Sequence, residues 1–572
     1  EELQTKEGRV LHPKSGKEAH YGELAAAAAQ VDLPEEIEVK DPKDFSLIGT
    51  DVPNVDNPKI VSGQPLFGLD YKVEGMLYAM VLHPPAFGAK LKSVDDSKAK
   101  AMPGIQQVIR YDEKVAVIGN STWEVKKAKD ALVAAWQEPS NPESTAGHEA
   151  EMRRKLNQKG EVRRKDGNPE GAFAQAATLV EASYEAPFLP HNTLEPMNFF
   201  AHVSEDKAVL VGPTQTPARA RKTTSDITGL AEDKITVDMT RMGGGFGRRL
   251  YTDFVYDAVM ISKEIKAPVK VIYTREDDMT AGTYRPTFQY KFRAALNENN
   301  ELIGYHQRGV SFNGGHVTRD LNIPAGAVDN LLMDSHKLSS EITTGAWRSP
   351  THNFLGFAEQ SFIDEVAHAA GKDPLDFRME LFEKALESPV GKVKYDAARF
   401  AKVLQLAAEK ANYGKAPQGT FQGVSCYYSH STYVAQVAEV VMDGDKPKIK
   451  RIVNAVDCGI VVNPTGAINQ VQGSVIDGIG HTFFGALTFE KSRPRQDNSD
   501  DYRLIRFKDV PQVEVHFVES KEDPTGLGEP ALNPAPAAVG NALFAATGER
   551  WRITPIGAGK QPGVVEMEGR IG

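Results

Sequence analysis

Runs of apolar residues with two distinct periods divide the chain. Two-residue alternation predicts strands at Met76–Val81, Val115–Ile118, Thr178–Tyr184, Lys207–Val211, Ile235–Met239 and Val269–Tyr273. Helical spacing marks Trp123–Ala135, Ala218–Thr228, Leu250–Ile265 (stopping before Pro268) and a later stretch from about Phe357 to Ala370. Val434–Met442 and Lys448–Val456 flank Asp443–Gly444, a hairpin signal. Strands alternating with helices place the chain in the mixed α/β (α+β) class. Two stretches are poor in apolar residues. The first 45 residues are polar, with one Ala-rich helix inside Gly22–Val31 that ends by Asp41–Pro42. Met152–Gly171 is rich in Arg, Lys, Gly and Asn and is predicted to be a linker or surface excursion. No repeat of fixed period interrupts this pattern.

At 572 residues the chain is long enough for two to four domains. Its 41% hydrophobic and 25% charged content is that of an ordinary globular protein. A formal net charge of -10 argues against a nucleic-acid-binding face. No run approaches the roughly eighteen apolar residues of a transmembrane helix. The start at Glu1 rather than Met suggests a processed or trimmed polypeptide. Cys426 and Cys458, the only cysteines, are too few for an iron–sulfur cluster, which needs about four ligands. Any electron relay must therefore lie on another chain.

Five segments carry candidate chemistry. Gly243–Gly244–Gly245–Phe246–Gly247–Arg248–Arg249 falls between a strand and a helix. Its glycines can bring backbone amides close to an anion, and the two arginines are expected to add charge to that cradle. The spacing fits neither a P-loop nor a Rossmann fingerprint, and a plain tight turn explains the glycines equally well. Pro213–Thr214–Gln215–Thr216–Pro217 follows a strand end; a turn is the simpler reading, but Gln215 could donate a neutral hydrogen bond. Between Pro524 and Gly548, Glu529 is the only charged residue. A lone carboxylate in apolar surroundings is expected to have a raised pKa and to serve as a base, unless it merely caps the helix predicted from Pro536 to Ala546. Ala346–Trp347–Arg348–Ser349–Pro350 offers an aromatic wall and a cation, or ordinary packing. Asp457–Cys458–Gly459 through Asn463–Pro464 leads into a helix carrying Gln470, Gly473, Gly478, Gly480 and Gly485. Glycines inside a helix mark close approach by another helix or by a ligand.

The order of these five segments resembles that of the molybdenum hydroxylases of the xanthine dehydrogenase and aldehyde oxidase family, from Leu47 to the C-terminus. The chain is most similar to the isoquinoline 1-oxidoreductase beta-subunit type, which includes large subunits of membrane-associated aldehyde dehydrogenases. The pointers are Gly247–Arg248–Arg249 in place of Gly-Gly-Lys-Glu and Trp347 in place of Phe. The resemblance implies a hammerhead α/β domain over 46–150, a linker over 151–172, and two intertwined cofactor-binding α/β domains. These would span 173–415 and part of 416–572, with 1–45 a remnant of the second.

It further implies oxidation of an aldehyde or N-heteroaromatic substrate with oxygen taken from water. Glu529 would be the catalytic base. Gln215, Gly244, Gly245, Phe246, Gly247, Arg348, Gln470 and Gly528 would contact the cofactor, and Trp347 would shape the substrate pocket. The cofactor would be molybdenum–molybdopterin cytosine dinucleotide, with the metal held by the pterin and no protein ligand. Electrons would pass to a small subunit with two-iron two-sulfur clusters, with a c-type cytochrome as a further partner, in the periplasm. The Gly-Gln-Gly segment and Ser/Thr-rich loop of such subunits are not found, and Gly423–Val424–Ser425 runs straight into a strand. A companion chain carrying that segment is therefore expected. The competing reading is a non-catalytic homologue serving as a scaffold, which an intact Glu529 argues against. A nucleotide-dependent transferase lacks its Walker lysine, and a metal hydrolase its His-Glu-x-x-His pair; His430 with Tyr427 and Tyr428 lacks ligand spacing.

Overall fold

The computed structural model describes residues 2–33, 35–37, 39–313, 317–444 and 446–556. Two compact units are present, 1–49 and 50–572. The smaller is a three-stranded antiparallel meander, Gln4–Lys6, Arg9–His12 and Lys17–His20, followed by the helix Tyr21–Ala28. The helix was expected from its alanines. The meander was not, because its strands are short and almost wholly polar.

In the larger unit, a seven-stranded sheet runs in the order Ile235–Met239, Ala208–Gly212, Asn198–Val203, Val269–Ile272, Leu77–Leu82, Lys114–Gly119, Ile105–Tyr111. Strands from the 46–150 region thus continue the sheet of the 173–415 region, joined where Val269–Val271 pairs in parallel with Leu77–Ala79. Helix Asp253–Ile265 covers it with Phe254, Val255, Ala258 and Ile261, all fully buried. Each such side chain contributes about 1.5–3 kcal/mol of apolar burial, except the smaller alanine. A five-stranded sheet follows in the order Thr178–Ala186, Phe288–Leu296, Leu302–Phe312, Leu331–Leu338, Glu161–Asp166. Helix His352–Ala369 packs on it, Phe354 and Phe362 stacking against Tyr290 and Phe292. The third sheet, Thr420–Ser429, Thr432–Asp443, Lys446–Asp457 and Gln512–Phe517, is covered by helices Pro464–Phe483 and Ala535–Thr547.

Two local expectations are corrected. The helix read as Trp123–Ala135 spans Thr122–Asp130 and gives way to the strand Val133–Gln137, which pairs with Lys90–Asp95. In Val133–Gln137 the exposed and half-buried positions alternate, a strand signature hidden by its alanines. Most of the stretch Met152–Gly171 is regular: it completes the helix Thr145–Leu156, then forms the edge strand Glu161–Asp166 and the start of Pro169–Ala174, with short turns between. Its charges suit an edge. Arg164 bonds Asp166 at 2.6 Å and reaches the carbonyls of Asp320, Val390 and Lys392.

Candidate active site

Two pairs of parallel strands deliver the candidate residues from their carboxyl ends, where crevices form in α/β sheets. Ala208–Gly212 and Ile235–Met239 run in parallel register; the first leads to Gln215 and the second to the glycine loop. Lys446–Asp457 and Gln512–Phe517 are likewise parallel; they lead to helix Pro464–Phe483 and to the Gly528–Glu529 loop.

The glycine loop is shaped by contacts that leave no room for side chains. A Cβ on Gly245 would lie 2.7 Å from Gln215 Oε1, and one on Gly247 would lie 2.1 Å from the Ala346 carbonyl oxygen. Gly247 also has φ +106°, open only to glycine at little cost. The Gly247 amide donates to Gln215 Oε1 at 3.2 Å, which turns the glutamine NH2 group outward as a donor. Phe246, at φ 51°, is 43% exposed despite its size.

Arg248 and Arg249 do not face the cradle, contrary to the expectation from sequence. Both are buried. Arg248 forms a fork with Asp253 at 2.7 and 2.5 Å and lies 3.7 Å from Asp278. Arg249 donates to the carbonyls of Gly244 and Glu195, each at 2.7 Å, with the Glu195 carboxylate at 3.4 Å. Burial lowers Arg249 to about 10, while the Glu195 charge opposes that shift. The Glu195 carboxylate also receives the amides of Gly243 at 2.7 Å and Leu69 at 3.1 Å. These arginines brace the loop from behind, because a guanidinium this deeply buried needs carboxylate and carbonyl partners.

Arg348 joins the two sides. Its amide donates to the Phe246 carbonyl at 2.8 Å. Its guanidinium donates to the Gly528 carbonyl at 2.6 and 3.0 Å and to Ser474 Oγ at 2.8 Å, with Asp477 at 3.3 Å. Gln470 is exposed on the same helix, and its Oε1 would be 3.7 Å from a Cβ placed on Gly528. Nothing lies within 4 Å of a Cβ built on Gly473, so the Gln470–Gly473 face of the helix is open. Gly478 has the other role foreseen for these glycines: its Cβ would meet the Leu532 carbonyl at 2.9 Å. Trp347 is 5% exposed, donates to the Pro190 carbonyl at 3.1 Å and borders a cavity of about 470 Å³.

Glu529 is half-buried, and its pKa is lowered, not raised. Burial pushes it up, but the hydrogen bond from His430, the Ser349 backbone amide and the nearby Arg348 charge together push it further down. His430 Nε2 is 2.9 Å from Oε2 of Glu529. Sequence reasoning missed this partner because 98 intervening residues fold away and the tight turn at His430–Ser431 gives no ligand-like spacing. Phe246, Ser349, Thr351, His430 and Ser431 all have positive φ without being glycine. Such backbone costs about 1–3 kcal/mol each and clusters where function over-determines geometry.

Two family models described as molybdopterin cofactor-binding domains match residues 148–382 and 318–511, together more than half of the chain. The chain belongs to the molybdenum hydroxylase family. Among curated relatives, it is 28% identical to the membrane-bound aldehyde dehydrogenase (pyrroloquinoline-quinone) of Gluconacetobacter polyoxogenes, over 95% of this chain and 76% of that protein. It is also 28% identical to the isoquinoline 1-oxidoreductase subunit beta of Brevundimonas diminuta, over 99% of this chain and 79% of that protein. Among solved structures, quinoline 2-oxidoreductase from Pseudomonas putida 86 superimposes with a TM-score of 0.77 at 15% identity, covering 89% of this chain and 97% of the other. That likeness is one of fold. As a molybdenum hydroxylase subunit the chain is a molybdopterin-dependent oxidoreductase, and its residues fit the cofactor. The glycine loop, the outward NH2 group of Gln215 and the open Gln470–Gly473 helix face offer neutral donors and space, which suit an oxygen-rich metal–pterin group.

Proposed function

We propose that this chain is the cofactor-bearing subunit of a hydroxylase that oxidises an aldehyde or N-heteroaromatic compound with oxygen from water. The observation that carries the reading is the bridge made by Arg348. One residue fixes the Phe246 loop through its backbone amide and the Gly473–Ser474 turn of the helix and the Gly528 carbonyl through its guanidinium, and so holds Glu529 beside the cofactor loops. Gln215, Gly244–Gly247, Gln470 and Gly528 would hold the molybdenum–pterin group. When bound, that group supplies the two-electron oxidation.

Glu529 acts as the general base. Its lowered pKa keeps it ionised at neutral pH, ready to take the proton of the water-derived nucleophile. His430 and the Ser349 amide aim the carboxylate, and Trp347 closes one wall against water. The cytosine dinucleotide form of the cofactor belongs to the same reading, as does electron transfer to a two-iron two-sulfur subunit with a c-type cytochrome. Its support within this chain is that both cysteines are buried singly in packed surroundings. A periplasmic, membrane-associated setting is supported by the membrane-bound relative. No helix among the described residues is long and apolar enough to cross a membrane.

The test combines elemental analysis of the natively purified assembly with turnover in oxygen-18 water. About one molybdenum per chain, and label from water in the acid or hydroxylated product, are expected. An assembly without molybdenum would favour the scaffold reading instead, and label arriving only from dioxygen would overturn the hydroxylase.

A further inference from the structure

Among the described residues, four arginines are fully buried: Arg248, Arg249, Arg285 and Arg378. Three have a carboxylate within 4.0 Å, namely Asp253, Glu195 and Asp364. Arg285 makes no ion pair among the described residues. Its Nη2 donates to the Pro187 carbonyl at 2.7 Å, while Nε and Nη1 have no partner. Its neighbours are the Trp347 ring, 5.9 Å away, and His481, which burial and Arg285 itself push down to about 3 and so keep uncharged. Burial without an anion lowers Arg285 to about 9. A buried cation that no carboxylate among the described residues neutralises calls for a counter-charge from a ligand.

Arg285 lines the 470 Å³ cavity bordered by Trp347. Arg319 lines it too, and no Asp or Glu is among the described residues of its wall, in a chain of net charge -10. Tyr251, Phe288 and Trp347 give it aromatic surfaces, and its volume is that of a one- or two-ring ligand. The cavity and the base share the 347–352 segment. The Ser349 amide bonds Glu529, while Arg319 donates to His352 Nε2 at 3.0 Å and to the carbonyls of Pro350 at 3.0 Å and Thr318 at 3.4 Å, so it contributes charge to the wall from a fixed position. The His352 ring stands edge-on to His430 at 5.8 Å, and His430 pairs with Glu529.

We infer that this cavity is an anion subsite, in which Arg285, with the charge of Arg319 beside it, holds the carboxylate of an aromatic substrate next to Glu529. The inference rests on the hydroxylase reading for the word substrate. A carboxylate supplies the counter-charge that Arg285 lacks and an acceptor for one of its unpartnered nitrogens, and an aromatic ring matches the walls. The substrate is then an aromatic acid that also carries the oxidisable aldehyde or ring carbon.

Calorimetric titration of the molybdenum-loaded assembly with benzoate and with benzamide, its neutral counterpart, tests the assignment. Benzoate should bind the wild type, and about tenfold or more weakly to Arg285→Met, while benzamide binds both alike. Arg285→Lys should fall between. If Arg285→Met melts early, Arg319→Met carries the same comparison. In turnover, the KM for 4-formylbenzoate should rise in Arg285→Met with that for benzaldehyde unchanged. Equal binding of benzoate and benzamide by the wild type overturns the subsite. So does benzoate binding confined to cofactor-free protein, which would assign the charge to the cofactor's own phosphate. An enzyme that oxidises neither aldehydes nor N-heterocycles sinks the hydroxylase reading, while the titration still decides the cavity.

Discussion

Gln215 and the glycine loop leave the carboxyl ends of one parallel strand pair; helix Pro464–Phe483 and Glu529 leave those of another. The construction is the same, but the two sides are held differently. Behind the glycine loop, Arg248 and Arg249 are buried, with Asp278 and Glu195 buried beside them and only Asp253 reaching solvent, so the backbone bends are fixed by charges largely shielded from water. The Glu529 side is braced by Arg348 and Asp477 instead, closer to the surface. Its carboxylate is a third exposed and is aimed by His430, itself 40% exposed, while Arg348 grips the neighbouring carbonyl. One side reads as a rigid shelf for a large group and the other as a base that keeps contact with solvent, where its proton must finally go.

The comparison can be broken most directly at the base. Glu529→Gln should lower kcat by about 10²–10⁴-fold and leave the molybdenum content and melting temperature unchanged. A variant that loses its metal would place Glu529 among the structural groups. On the other side, Glu195→Ala should act in the opposite sense. It strands Arg249 and the Gly243 amide in the interior, so unfolding in urea should show a loss of about 3–5 kcal/mol, with cofactor content falling in proportion. Stability within 1 kcal/mol of wild type would mean that water replaces the carboxylate and that the shelf is not charge-braced (values near 1 kcal/mol are typical of exposed groups).

The smallest effect sharpens the contrast through pH. Glu529 works ionised and its pKa is depressed, so activity is full above that pKa and is lost as pH falls through it. The acid limb of kcat/KM should therefore lie below the ordinary glutamate range. His430→Gln removes the leading stabilising hydrogen bond and should move the limb upward, with little change in the rate near pH 7. An unmoved limb would show that His430 does not hold the carboxylate.

Much of this was legible in the sequence where the information is local. The strand Ile235–Met239 and the helices Pro217–Thr228 and Asp253–Ile265 follow from two- and 3.6-residue periods. So do the glycine loop between strand and helix and the solitary charge of Glu529. What could not be read depends on residues distant in sequence. Arg248 and Arg249 look like ligands for an anion until Asp253, Asp278 and Glu195 are seen to claim them. Glu529 looks isolated along the chain, yet His430 arrives from another strand turn and reverses the expected direction of its pKa. The polar meander of 4–20 and the edge strand at 161–166 carry too few buried positions for alternation to register.

The seven-stranded sheet has a consequence for how the molecule can be divided. Val269–Ile272 is buried along its whole length, and one of its flanks is hydrogen-bonded to Leu77–Leu82 from the preceding region. Cutting the gene between those regions would not release two self-sufficient modules. It would leave a hydrophobic sheet margin with a row of unanswered amides and carbonyls, the kind of surface that recruits another copy of itself. Truncations made to isolate the cofactor-binding part should therefore retain the strands at 77–119, or they will yield inclusion bodies in place of enzyme.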